Sequence, residues 1–123
     1  MNRLVYGLPD DFALSSFSGA RLAQVAIGQH QVQLNFDGTN RSVSVESRYA
    51  IAEPGRARQE FTDMPAGAAQ LAALVGAHLD DVSCASDGTL MLSFATGARV
   101  VVFDDDTRYE SYQIHDGDRL IVV

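Results

Sequence analysis

The stretch GARLAQVAIGQHQVQLNFDGTNRSVSVESRY, Gly19 to Tyr49, decides the fold, because it reads as strands and its pattern returns further along the chain. Within it VQLNF alternates apolar and polar residues, so Val32, Leu34 and Phe36 face inward, as in a strand with one buried side. The Asp37-Gly38 step suits the positive φ of a tight hairpin turn. SVSVES then alternates again, placing Val43 and Val45 inside and Ser42, Ser44 and Glu46 in water. With an upstream strand from Leu22 to Ile27 ending at Gly28, the stretch predicts a three-stranded antiparallel meander.

The segment GARLAQV, Gly19 to Val25, returns as GAHLDDV, Gly76 to Val82, at an offset of 57 with four of seven positions identical. Leu34 and Phe36 match Leu92 and Phe94 at offset 58, as do Arg41 and Val43 with Arg99 and Val101. Arg48 and Tyr49 match Arg108 and Tyr109 at offset 60. A second meander follows: Leu79 to Ala85, Leu90 to Ala95 and Arg99 to Phe103, with turns at Asp87-Gly88 and Thr96-Gly97. On this alignment Met91, Val100 and Val102 occupy the places of Gln33, Ser42 and Ser44. Both faces of these strands are then apolar, and a cover is expected from a helix of this chain or from another protein.

PAGAAQLAALVG, Pro65 to Gly76, reads as a helix, with Pro in the first turn, Gly past the end, and Leu71, Leu74 and Val75 as a core stripe. Pro9 to Gly19 has the same frame in a weaker, serine-rich form. The connection 50–64 is rich in Pro, Gly and charge without a period and is expected to be irregular. Residues 109–123 predict a closing hairpin around HDGD, and an all-apolar end implies a paired, covered last strand. The fold class expected is therefore α+β, mostly β. It comprises two duplicated antiparallel meanders (repeats 9–49 and 65–109), a C-terminal hairpin and one or two short helices in one domain, 1–123. One curved sheet and two packed sheets fit the alternation equally.

The chain has 123 residues, 46% apolar and 20% charged, which suits a single soluble domain with its own core. Its 16 acids against nine bases, all Arg, give a net charge of −7, which argues against a nucleic-acid binder and favours a basic partner. Met1 to Phe12 lacks the apolar run of a signal peptide, and no stretch reaches membrane-span length, so a cytoplasmic location without membrane contact is expected. The single Cys84 suits a reducing compartment and reads as a small, buried strand residue.

No phosphate loop, nucleophile elbow, paired-cysteine motif or zinc-protease helix is present, and neither a cofactor nor a metal is expected. His30, His78 and His115 lie far apart and read as surface residues. The acids Asp104, Asp105, Asp106 and Glu110, with Asp116 and Asp118 on the next turn, form the densest charge in the chain. Their spacing fits no calcium loop, and a solvated turn or a contact surface for a basic partner are the other readings. Tyr109 and Tyr112 accompany them, as interface rings or as the edge of a core.

Gly76 to Ile114 resembles a family of small uncharacterised bacterial proteins. The resemblance is carried by Gly76, Leu79 and Val82, by Asp87 to Leu90, by Phe94 and Gly97, and by a Tyr-Glu-Ser-aromatic close at Tyr109 to Tyr112. Where that close often has Trp, this chain has Tyr112. Such proteins resemble the immunity partners of bacterial polymorphic toxins, which implies a non-enzymatic protein that neutralises a toxin, such as a nuclease, by binding it. The contact region expected on that reading is Asp104, Asp105, Asp106, Glu110, Tyr112, Asp116 and Asp118. The alternatives are a homodimeric structural domain joined through Met91, Val100 and Val102 or the terminal strand, and an enzyme of unrecognised type.

Overall fold

The computed structural model describes Phe17 and residues 19–38, 41–104, 111–116 and 119–123. Among the described residues ten strands form two five-stranded antiparallel sheets packed face to face over one core. The first meander is β1 (Leu22–Ile27), β2 (Val32–Phe36) and β3 (Arg41–Val45). The second is β6 (Leu79–Cys84), β7 (Leu90–Phe94) and β8 (Arg99–Phe103), and all six strands lie where alternation puts them. The inner faces are apolar throughout: Leu22, Val32, Leu34, Val43 and Val45 on one side meet Leu79, Leu90, Leu92, Val100 and Val102 on the other, each at most 2% exposed.

The connection 50–64 is not irregular. It holds most of a hairpin made of β4 (Arg48–Ala52) and β5 (Gln59–Phe61), turned through Glu53–Arg56 with Gly55 at φ 77. The local charge of GRAR masks the short strands, but Tyr49 and Ile51 alternate with Ala50 and bury their side chains. The closing hairpin is β9 (Tyr112–Asp116) and β10 (Arg119–Val122), and the terminal Val123 is 1% exposed, its N–H donating to the Tyr112 carbonyl.

The hairpins are exchanged between the meanders. The sheet orders are β1-β2-β3-β9-β10 and β5-β4-β8-β7-β6, so the hairpin after the first meander extends the second, and the reverse. Only Glu46 and Ser47 separate β3 from β4, and the Glu46 N–H bonds to the carbonyl of Ser111, where the chain enters β9. The first crossover therefore lies beside the start of β9.

A local two-fold relates the halves. Arg21 and His78, equivalent at offset 57, pair with each other. Around them the bonds come in matched pairs: Gly19 N to Leu79 O (2.8 Å) with Gly76 N to Leu22 O (2.7 Å), and Leu79 N to Ala20 O (2.8 Å) with Leu22 N to Ala77 O (2.9 Å). Both edge strands shift register at the same place, between Leu22 and Gln24 and between Leu79 and Asp81.

This symmetry corrects the alignment of the third strands. Phe36 faces Arg41 across a four-residue turn, whereas the Phe94 N–H already bonds to Ala98 across three residues. One residue fewer reverses the alternation, so Val100 and Val102 match Val43 and Val45 and lie in the core, each 0% exposed. They are not on an outer face, and Val101 takes that place beside its cross-strand neighbour Met91. The tyrosine equivalent to Tyr49 is likewise Tyr112: Tyr49 pairs with Val102 and Tyr112 with Val45.

The Pro65–Gly76 helix is shorter than expected, a 3-10 turn at Met64–Gly67 running into α1 (Ala68–Ala72), with Leu71 and Leu74 buried. Tyr49 explains its start. Its hydroxyl donates to the Met64 carbonyl at 2.7 Å and accepts from the Gly67 N–H at 3.1 Å, and a Cβ on Gly67 would stand 2.5 Å from that oxygen. The helix expected over Pro9–Gly19 lies outside the described residues, save Phe17, which is buried against Phe36, and Gly19.

Candidate functional site

Of the acids singled out by sequence, Asp105, Asp106, Glu110 and Asp118 lie outside the described residues. Asp104 follows β8 and accepts a hydrogen bond from the Ser111 hydroxyl at 3.1 Å. Asp116 closes β9, where it meets the Arg41 Nε at 3.3 Å, both side chains about a quarter exposed. Five residues of extended chain, roughly 16 Å, separate Ser111 from Asp116. The two described acids therefore sit at opposite ends of one strand rather than in one cluster.

Tyr112 is not a surface ring. It is 0% exposed, its phenol donates to the Gly88 carbonyl at 2.7 Å, and burial pushes its pKa well above the usual phenol range. Gly88 fits this corner for two reasons. It sits at φ 89, and a Cβ there would run into the Asp104 carboxylate. Tyr112 thus anchors β9 to the β6–β7 turn beneath Asp104. Nearby, Cys84 is half-buried, its thiol directed to the Ala85 carbonyl at 3.5 Å. In that turn the Thr89 N–H donates to Asp87 at 3.0 Å and holds the Asp87 carboxyl below its ordinary range.

Elsewhere arginines are matched to acids. Arg21 pairs with Asp37 at 3.0 Å, and the Arg21 backbone N–H, bonded to the same carboxylate, lowers the Asp37 pKa. Arg48 and Arg58 both hold Glu60, at 2.7 and 2.8 Å, and the Arg58 hydrogen bond does most to lower its pKa. Arg48 also stacks 3.8 Å from the centre of the Phe103 ring. Asp63, Asp80, Asp81 and Asp87 are exposed, Asp80 and Asp81 along the β6 edge. Among the described residues no group of three His, Cys, Asp or Glu side chains could hold a metal ion. No helix among them is long and apolar enough to cross a membrane.

The outer face of the first sheet holds a feature that sequence reasoning missed. Strand register sets Gln24, Asn35, Ser42, His115 and Leu120 in one row across five strands, and Ala26, Gln33, Ser44 and Gln113 in the next. Toward the β2–β3 turn this face opens into a 460 Å³ hollow lined by Gln33, Asn35, Phe36, Gly38, Arg41, Ser42 and His115. Each of these polar residues reads singly as a solvated strand position. Only the pairing of β3 with β9, which joins residues 75 apart at Arg41 and Asp116, brings His115 beside Ser42.

Residues 13–123 match the model of a family described as a family of unknown function (DUF6188). No curated protein and no solved structure matches the chain.

Proposed function

Since the chain belongs to the family of unknown function DUF6188, we propose from its surface that it is a non-enzymatic binding module for a basic protein partner. Charge carries this reading. The net charge is −7, and among the described residues Asp63, Asp80, Asp81 and Asp87 all have exposed side chains. A basic surface approaching such a face gains long-range attraction and a faster encounter. The finer form of the proposal is an immunity protein that blocks a cognate toxin, with Asp104, Asp105, Asp106, Glu110, Asp116 and Asp118 as the contact region. Tyr112 supports that region from the core instead of touching the partner, because its ring is fully buried.

The experiment is a pull-down of the product of the adjacent reading frame. Wild-type chain should retain it, and a variant with Asp104→Arg, Asp105→Arg and Asp106→Arg should lose it. Retention by the variant overturns the contact region, and the absence of any toxin-like neighbour overturns the immunity form. Self-association is the second reading, favoured by one observation: Leu120 on the edge strand β10 is 51% exposed. Light scattering that gives a monomer at micromolar concentration removes it.

A further inference from the structure

We propose that the hollow on the outer face of the first sheet binds a neutral polyhydroxylated ligand, a mono- or disaccharide. Its position is built by the fold, since β2, β3 and β9 contribute Gln33 and Asn35, Arg41 and Ser42, and His115 from three adjacent strands. Its volume of 460 Å³ falls within the range of small-molecule sites, roughly 300–1,000 Å³.

The lining selects the chemistry. Asn35, which lines the hollow, gives its amide N–H to Gln24 at 3.1 Å, and that bond fixes the side chain. Gln33, Ser42 and His115 bring further donors and acceptors to the lining, Ser42 from a buried position at 8% exposure. Arg41 is charge-balanced by Asp116 at 3.3 Å, so the site has no net positive charge to hold a phosphate or a carboxylate. Phe36 is 5% exposed and offers little apolar surface to a hydrophobic ligand. Neighbouring amides, a hydroxyl and an imidazole each present donor and acceptor sites, and adjacent sugar hydroxyls do the same.

The contrast with the second sheet sharpens the point. Its outer face carries the charged Arg48, Glu60, Arg99 and Asp81 around an apolar centre of Ala50, Met91 and Val101, with none of the amides that line the first sheet. The first sheet presents uncharged groups in two rows at a strand spacing of about 4.8 Å, where hydrogen-bonding groups on neighbouring strands can meet one ring.

The test is a titration of the ¹⁵N-labelled full chain with glucose, galactose, mannose, N-acetylglucosamine and two disaccharides, with phosphate and acetate as separate arms. At least one sugar should give saturable shifts confined to amides of β2, β3 and β9, with a dissociation constant on the order of 1 mM. Ser42→Val and Gln33→Ala should each weaken it by about tenfold, while unchanged amide positions in β6 and β7 report an intact fold. The proposal is overturned if no sugar shifts these amides, if phosphate or acetate shifts them and the sugars do not, or if both variants bind as wild type does.

Discussion

In the first meander the residues pointing away from the core are Gln24, Gln33, Asn35, Ser42 and Ser44; at the equivalent places in the second stand Asp81, Met91, Ser93, Arg99 and Val101. None of the five is shared. Inside, Leu22 and Leu79, Leu34 and Leu92, Phe36 and Phe94, Val43 and Val100, and Val45 and Val102 are identical pairs. The inner residues answer to packing against the opposite sheet, which both halves must satisfy alike. The outer residues are free of that demand, so what distinguishes the two faces reflects what each one meets.

The inner half of this comparison can be broken most forcefully at its centre. Leu34→Ala and Leu92→Ala, both residues at most 1% exposed, should each cost about 3 kcal/mol in urea denaturation. If one costs less than half as much as the other, the halves match in shape but not in energy. Next in size is the register of the third strand. Val100→Thr buries a hydroxyl and should cost about 2 kcal/mol, as Val43→Thr does, whereas Arg99→Thr on the exposed side should change stability little. A neutral Val100→Thr would restore the longer-turn alignment.

The tyrosines offer a smaller and directional test. Tyr112→Phe removes the bond to Gly88 and should cost about 1 kcal/mol, with Tyr49→Phe costing more because it strands both Met64 and Gly67. Burial raises both phenol pKa values, so the folded protein disfavours phenolate. That stability is complete below the ordinary tyrosine pKa of about 10 and is lost as pH rises beyond it. Alkaline unfolding followed by circular dichroism should therefore begin at higher pH in Tyr112→Phe relative to its own neutral stability. The smallest effect is at acid pH. Asp37, Glu60 and Asp87 have lowered pKa values, so their contribution is present above the usual carboxylate range and fades as pH falls through their folded values. Asp37→Asn should flatten that acid limb slightly.

The six meander strands were legible because alternation and Asp-Gly turns are local signals. What remained hidden depends on distant partners. Nothing in RYAIA or YQIHD says which sheet the strand will join, and the exchange of hairpins follows from crossovers at Glu46 and Ser111 that only packing reveals. The facing of the third strand was hidden by one residue in a turn, which inverts every side chain after it. The acidic cluster was visible as composition, yet Tyr112 beside it belongs to the core. The hollow was invisible because Ser42 and His115 are neighbours only after β3 and β9 pair.

The exchanged hairpins also govern how the molecule comes apart. Repeats stacked in a row contact only their neighbours and can melt one at a time. Here the first sheet draws strands from both ends of the sequence and encloses the middle ones in the second, so loosening either meander strips the hairpin that follows the other. The two repeats are bound into one cooperative unit, and amide exchange from β2 and β7 should report the same free energy of global opening.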